Sequence, residues 1–214
     1  MSSLNEKLLP EVLSGLEAMT AIRRDLHAHP ELGMCEVRTA KIAADALRAM
    51  GCDEVVEGIG KTGVAAVIRG GKRNPGHLVT IALRADIDAL PVEEAEGLAC
   101  RSVVPGVSHV CGHDAHAAML LGTAKLLLSI KDEIPGRVKF FFQHAEEQAP
   151  GGAEGMVKAG VLEGVDACVG LHVMNDPIGL VRVTTTPAVT TTCDEITVTI
   201  RGRGTHGSMP HAGV

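Results

Sequence analysis

Two short runs of apolar residues constrain the fold of this chain more than any other feature. Residues 138–143 and 167–173 are predominantly apolar, which is typical of strands covered on both faces. The segment between them predicts a short helix around residues 155–159. Because a strand, a helix and a strand in succession favour a parallel pair with a right-handed crossover, we expect an α/β fold.

Apolar residues at helical spacing predict three longer helices, at residues 13–26, 36–50 and 114–131. Gly51 is expected to end the second helix in the left-handed conformation, and Asp114 to cap the start of the third. Residues 64–69 and 78–84 are predicted to be adjacent strands, with a hairpin as one way of joining them. The expected class is α/β, with a mixed, largely parallel sheet flanked by helices.

The composition changes beyond Pro177, where Thr and Val alternate. This alternation predicts strands at residues 179–186 and 195–201. We therefore expect two domains, a first over residues 1–186 and the start of a second, α+β domain over residues 187–214.

The composition also narrows the class of partner. With three Phe, no Trp, no Tyr and a net charge of -6, the chain has little to stack on bases and no basic surface for phosphates. Its longest apolar stretch, residues 115–130, contains His116 and Lys125 and is too short to span a bilayer. Six scattered cysteines without a C-x-x-C pair favour reduced thiols in the cytoplasm. We expect a small-molecule ligand, with neither nucleic acid nor membrane as partner.

Residues able to bind metal follow the predicted strands at their carboxyl ends. They are Asp86 and Asp88, Glu146 and Glu147, and His172, with Cys111 and His113 on the loop before a helix. In open α/β sheets, sites form in the crevice outside the carboxyl ends of the strands. These residues are therefore predicted to converge on one site.

The donor types in this set indicate the kind of metal. A thiolate, two imidazoles and a carboxylate suit a first-row transition metal, zinc above all, with manganese, cobalt or nickel as alternatives. Cys111 and His113 are two residues apart, so an extended segment turns both side chains to one side. Adjacent Glu146 and Glu147 would repel each other in a dry pocket unless a cation holds one and the other shares a proton with water.

Each feature also has an ordinary structural interpretation. A Glu-Glu pair usually lies on a solvated face, and His172, between Leu171 and Val173, could be a hydrogen-bonded core histidine. His27 and His29 stand at a helix end, where capping is the usual role. The cysteines other than Cys111 are interpreted as structural. His109, His144 and His211 give no clear indication.

Six collinear segments resemble a known family. They are residues 24–27 with 30–33, 84–91, 111–116, 145–147, 170–173 and 205–211. Their order and spacing are similar to those of the aminoacylase and carboxypeptidase-like metallo-amidohydrolases, specifically the hippurate hydrolase and indoleacetyl-amino-acid hydrolase branch. The resemblance implies a metal-dependent amidohydrolase that cleaves N-acyl amino acids with a metal-activated water.

The resemblance also implies roles for individual residues. The catalytic domain would be zinc-exopeptidase-like and hold two divalent metal ions, with Cys111 bridging them and His113, Glu147 and His172 as further ligands. Glu146 would be the general base, and Asp88 would orient a ligand histidine.

A lid histidine is the remaining implied group. His206 would lie in an inserted dimerisation or lid domain, reach the site of a partner subunit and polarise the scissile carbonyl. A homodimer is therefore expected. By the same resemblance the chain is the N-terminal part of the enzyme and ends inside the insert. The family's last metal-ligand histidine would lie beyond Val214, which leaves the activity of this piece by itself open.

The sequence departs from the family pattern at two places, and two other functions stay open. His144 replaces the Pro usual before Ala-Glu-Glu, and Val173-Met174 lacks an aromatic residue often found there, so substrate preference is undetermined. One alternative is a cysteine hydrolase with Cys111 as nucleophile and His113 as base. The other is a non-catalytic metal-binding or dimerisation fragment.

Overall fold

The computed structural model describes residues 4–184 and 196–213. Its elements are α1 (Leu4–Ala28), α2 (Val37–Met50), β1 (Glu54–Ile59), β2 (Gly63–Arg69), β3 (Thr80–Asp86), α3 (His113–Ser129), β4 (Arg137–Gln143), α4 (Gly152–Lys158) and β5 (Ala167–Gly170), with short 3-10 turns at Lys131–Glu133 and Pro210–Ala212. The chain divides into two compact units, Met1–Met174 and Asn175–Val214. Among the described residues, no helix combines the length and apolar character needed to cross a membrane.

The five strands form one mixed sheet in the order β1-β2-β4-β3-β5. β2 runs antiparallel to β1 and β4, whereas β3 runs parallel to β4 and β5. This confirms the predicted mixed α/β class. β3, β4 and β5 thus share one direction, and their carboxyl ends lie at the same edge of the sheet.

The predicted pairings of β2 with β3 and of β4 with β5 were wrong. β4 lies between β2 and β3, and β3 lies between β4 and β5. The turn-rich segment after β2 does not close a hairpin, because Gly70 and Gly71 donate their N–H groups to carbonyls of Gly136 and Lys131. A later part of the chain therefore holds this segment away from β3.

Helices α2 and α3 cover one face of the sheet, and α1 packs against α3. Phe140 and Phe142 of β4 point to that face and are fully buried with Leu47 and Leu121, whereas Phe141 points to the other face against Met156. Side chains alternate along a strand, so the three successive phenylalanines supply two separate apolar clusters. The prediction of strands covered on both faces holds for β4. It was wrong for β5, which among the described residues pairs with β3 alone and is exposed throughout, as an edge strand.

The two predicted helix ends had different outcomes. Gly51 ends α2 with φ +89° and donates its N–H to Arg48 O, as predicted. The prediction for Asp114 was wrong, because α3 begins at His113 after Gly112 and Asp114 makes no cap. The buried Asp114 carboxylate instead lies 2.7 Å from both His27 Nδ1 and Arg23 Nε. His27 is also 2.6 Å from Glu94, so it joins two carboxylates rather than capping its helix.

The second unit is described for residues 175–184 and 196–213. Strands were predicted at residues 179–186 and 195–201, yet the described residues of both segments are not in β-strand. Alternating Thr and Val favour extended backbone, but a strand also requires a hydrogen-bonded neighbour, which none of the described residues provides. The predicted domain boundary at residues 186 and 187 lies outside the described residues and stays a prediction.

Candidate functional site

Apart from His206, the predicted site residues lie at one edge of the sheet in the first unit. Asp86 ends β3 and Asp88 follows it, Glu146 and Glu147 follow β4, and His172 follows β5. Because these three strands are parallel, their carboxyl ends converge. The turn before α3 brings Cys111 to the same place, and His113 lies there as the first residue of α3.

His113 stands at the centre of the site and is fully buried. Its Nδ1 lies 2.9 Å from Asp88 O and 3.1 Å from Asp88 Oδ1. Its Nε2 faces the carboxylates of the Glu pair, 3.6 Å from Glu147 Oε1 and 4.0 Å from Glu146 Oε2. The two ring nitrogens of His113 therefore have separate surroundings, one anchored and one facing the crevice.

Two buried atoms of this centre lack a hydrogen bond. Neither His113 Nε2 nor Glu147 Oε1 has a hydrogen-bond partner among the described residues. Buried polar atoms are seldom left unpaired, because desolvation without a partner costs about 1–3 kcal/mol. Two such atoms facing each other are the arrangement that a shared cation would satisfy.

Cys111 and His172 complete the cluster. Cys111 Sγ is 3.4 Å from His172 Nε2, and His172 Nδ1 donates to Val173 O at 2.6 Å. One donor atom from each of Cys111, His113 and His172 lies within 4.8 Å of the others, and the same holds for His113, Glu146 and Glu147. The structure thus brings together all four predicted ligands and the predicted base, with His113 common to both groups.

The electrostatics of the site are dominated by negative charge. Burial, reinforced by the carboxylate of Glu147, raises the pKa of Cys111 to about 12. Burial alone would lower the pKa of His113, but the hydrogen bond to Asp88 and the charge of Asp86 outweigh it and raise that pKa. Burial likewise opposes ionisation of Asp88, yet hydrogen bonds from His113 and from backbone N–H groups keep the pKa of Asp88 below its usual value.

The donor set fits divalent transition metals. Sulfur, imidazole nitrogen and carboxylate oxygen occur together, and hard oxygen donors alone would be expected of a calcium site. A cation would also relieve the repulsion between the clustered carboxylates and would favour the thiolate of Cys111. Glu146 differs from its neighbour because 41% of its side chain is exposed, which leaves it accessible to water and substrate.

Two residues of the site were not predicted to have roles there. His116 is buried and forms a third group with Asp86 and His113. Glu36 is also buried, and its Oε1 accepts the N–H of Ala145 at 2.7 Å, directly before the Glu pair. The spacing of His113 and His116 by three residues on a helix was the available signal for His116. For Glu36 no local pattern gave one.

His206 lies in the second unit. Its side chain is exposed, and its Nδ1 is 2.8 Å from Ser208 Oγ. The predicted reach of His206 to the site of a partner subunit stays a prediction.

Known proteins similar to this chain agree with these features. The model of peptidase family M20/M25/M40 matches residues 82–211. The chain is 44% identical over 208 residues to an N-acyl-L-amino acid amidohydrolase of Geobacillus stearothermophilus, covering 96% of this chain and 54% of that protein. It is 46% identical over 210 residues to thermostable carboxypeptidase 1 of Saccharolobus solfataricus, covering 97% of this chain and 52% of that protein.

A solved structure shows the same fold. The crystal structure of a dinuclear metal-binding peptidase of the M20 family from Bacillus subtilis superposes with a TM-score of 0.69 at 44% identity, covering 75% of this chain and 43% of that one. The chain spans about half the length of the curated relatives that it matches. The resemblance to the metallo-amidohydrolases is thereby confirmed at the level of the family, and the chain belongs to peptidase family M20/M25/M40.

Proposed function

We propose that the protein is a metal-dependent amidohydrolase that cleaves the amide bond of N-acyl amino acids. The observation that carries the proposal is the pair of buried atoms His113 Nε2 and Glu147 Oε1, which face each other at 3.6 Å without a hydrogen-bond partner among the described residues. Relatives named N-acyl-L-amino acid amidohydrolase and N-acetyl-L-cysteine deacetylase support this substrate class.

Two divalent ions are proposed to occupy this site. Cys111 lies beside both His172 and Glu147, so its thiolate would be one of the ligands that hold the ions. His113, Glu147 and His172 would be the further ligands. The thiolate and imidazole donors favour zinc, the carboxylate donors also suit manganese, and cobalt or nickel are alternatives. When bound, such ions lower the pKa of water toward ~7 and polarise a carbonyl oxygen.

Glu146 is proposed to move the proton of the reaction. It is exposed to the crevice and adjacent in sequence to Glu147, so it can accept a proton from the attacking water. The same carboxyl then donates that proton to the departing nitrogen as the new C–O bond forms and the C–N bond breaks. Asp88 fixes the ring of His113 by holding Nδ1, which leaves Nε2 directed at the crevice.

The finer features of the protein belong to the same proposal. A hippurate-like substrate, a homodimer formed through a lid domain that starts with residues 187–214 and a carbonyl-polarising role for His206 rest on the sequence motifs, and a cytoplasmic location rests on the scattered cysteines. They are consistent with a small-molecule hydrolase and require the full-length protein for a test.

The direct test is a metal-dependence assay. The full-length protein is stripped with EDTA, reloaded separately with zinc and manganese, and assayed on hippurate and a series of N-acetyl amino acids, with metal analysis of each sample. We expect activity to disappear with the metal and to return on reloading. Undiminished hydrolysis by a protein shown to contain no metal would contradict the proposal.

A cysteine hydrolase is the second candidate, because Cys111 Sγ contacts His172 Nε2. This contact replaces the pairing with His113 expected from the sequence. Turnover that resists EDTA and is lost on treatment with iodoacetamide would favour this mechanism. A full-length protein that binds metal and hydrolyses none of the acyl amino acids would favour a non-catalytic metal-binding protein.

A further inference from the structure

His116 is a buried histidine with both ring nitrogens engaged. It lies one turn along α3 from His113 and is 2% exposed. Its Nδ1 is hydrogen-bonded to Asp86 Oδ1, and its Nε2 accepts the backbone N–H of Val173 at 2.9 Å. Since a ring nitrogen that accepts a backbone N–H carries no proton of its own, Nδ1 is the donor to Asp86.

These hydrogen bonds separate His116 from the proposed metal ligands. Donor atoms of Asp86, His113 and His116 lie within 4.8 Å of one another, which by itself would suit a cation. His113 keeps Nε2 free of hydrogen bonds among the described residues, whereas both ring nitrogens of His116 are hydrogen-bonded. His116 therefore has a different task from His113.

The Asp86 side of His116 is firmly anchored. Asp86 is fully buried, and its Oδ2 accepts a hydrogen bond from Arg84 Nη1 at 2.8 Å. Arg84 Nε in turn donates to Gln143 Oε1 at 3.0 Å. These contacts fix the His116 ring to the carboxyl ends of β3 and β4, which also carry Asp88 and the Glu pair.

The Val173 side of His116 controls the position of His172. The N–H of Val173 is held by His116, and the carbonyl of the same residue accepts the His172 Nδ1–H at 2.6 Å. This arrangement directs His172 Nε2 toward Cys111. Val173 also packs on the turn between Cys111 and His113, because a Cβ added at Gly112 would lie 2.3 Å from Val173 Cγ2. The exposed edge strand β5 gives this segment little other support.

We propose that His116 is a positioning residue that sets His172 for metal binding through the Val173 N–H. The inference rests on the proposed function, because it concerns the same metal centre. It predicts that the acceptor atom at the Nε2 position matters more for metal binding than the donor at Nδ1.

Two near-isosteric substitutions separate these contacts. In His116→Gln the side-chain oxygen can occupy the Nε2 position and accept the Val173 N–H. In His116→Asn the amide can donate to Asp86 from the Nδ1 position but is too short to reach Val173. Thr39→Val is the control for the loss of a buried hydrogen bond, since Thr39 is buried and donates to Glu31. Full-length variants are compared for metal content, for affinity by competition with a chelator, and for the visible spectrum of the Co²⁺-loaded protein.

We expect His116→Asn to lose about 10–100-fold in metal affinity and to show an altered Co²⁺ spectrum, as is usual when a supporting hydrogen bond to a ligand is lost. His116→Gln should retain most of the affinity, and Thr39→Val should match the wild type in both readouts. Equal losses of metal affinity in His116→Gln and His116→Asn, or wild-type affinity in both, would overturn the inference. The proposed function would still stand in that case if the wild-type protein binds metal and hydrolyses its substrate. A wild-type protein that binds no metal would overturn both.

Discussion

Single atoms decide the chemistry of this site, and His113 and His116 show how. The two rings lie 5.4 Å apart between centroids on one helix, yet only His113 presents a nitrogen without a hydrogen-bond partner among the described residues. The difference arises from what holds each ring. Asp88 engages His113 at one nitrogen, whereas Asp86 and Val173 engage His116 at both. Residue type alone does not distinguish a ligand from its support.

At this scale, Glu146→Gln should keep bound metal and lose about 10²–10⁴-fold in turnover, because an amide cannot accept the proton of the attacking water. Turnover on an N-acyl amino acid and metal content are measured on the same preparation. Glu154→Gln is the matched control, since Glu154 lies exposed on α4 in an ion pair with Lys158. Normal turnover in Glu146→Gln would show that another group is the base.

The proposed donors could be found from the sequence, but their supporting contacts could not. Cys111, His113, His172 and the pair Glu146 and Glu147 were located because each is a metal-capable residue at a strand end or a helix start, and the family resemblance then implied Glu147 as the ligand of the pair. Glu36 escaped notice because its partner Ala145 is 109 residues away. Such a contact depends on how α2 packs against the end of β4, and no periodicity reports it.

Whole elements were easier to find in the sequence than their order in the sheet. The helical spacing of α2 and α3 and the apolar runs of β2, β3 and β4 were sufficient to locate these elements. β1 was missed because it is mostly exposed and lacks a continuous apolar pattern. The order β1-β2-β4-β3-β5 depends on long-range pairing, in which the core-facing Phe140 and Phe142 draw β4 to the centre. Local sequence patterns do not show which strands pair with each other.

Glu36 should stabilise the turn that joins β4 to the Glu pair. Its carboxylate accepts the Ala145 N–H at 2.7 Å and the Thr62 hydroxyl at 2.6 Å. Ala145 has φ +46°, a conformation disfavoured for alanine that therefore needs support. Glu36→Ala is expected to cost about 1–3 kcal/mol in the free energy of unfolding, since it leaves the buried N–H of Ala145 unpaired.

The urea unfolding curve measures this cost, and Glu36→Gln, which keeps a carbonyl acceptor, should lose less. Turnover should fall in Glu36→Ala at a denaturant concentration where the protein is still folded, because the turn also positions Glu146. If Glu36→Ala has the same urea midpoint of unfolding as the wild type, this carboxylate has no stabilising role.

Asp53 should make stability depend on pH. Its carboxylate accepts the Arg69 N–H and a Lys131 Nζ–H, both at 2.7 Å, and these contacts lower the pKa of Asp53 below its usual value in the folded protein. The ionised form is therefore favoured by folding, so its contribution is complete above the unfolded pKa of about 3.9 and is lost as the pH falls through the folded pKa.

Asp53→Asn should thus lower the free energy of unfolding by less than about 1 kcal/mol at pH 7, because solvent screens the exposed Asp53 carboxylate, and by still less at pH 3. Urea unfolding of both proteins at the two pH values measures the difference. Lys131→Met, which removes one donor and keeps Asp53, should lose part of the same contribution. If the difference in the free energy of unfolding between wild type and Asp53→Asn stays constant with pH, titration of Asp53 is not its source.

At the scale of the whole molecule, the proposed metal centre is assembled within one unit. Its donors follow β4 and β5 and lie at the start of α3, and Asp88, which orients His113, follows β3, all within Met1–Met174. They are far apart in the sequence and come together only in the folded sheet. Metal binding and folding of this unit should therefore be linked.

Zinc added to EDTA-stripped protein should raise the melting temperature, because a ligand that binds only the folded state stabilises it by about 2.7 kcal/mol at 100 times its Kd. Thermal unfolding is followed across a zinc titration in wild type, His113→Ala and His77→Ala. His113→Ala should abolish the shift, since it removes the nitrogen that faces Glu147. His77 is 75% exposed and lies beside Asp166, so His77→Ala should shift as the wild type does. Equal shifts in all three proteins would mean that zinc binds elsewhere, and the linkage between this cluster and folding would be disproved.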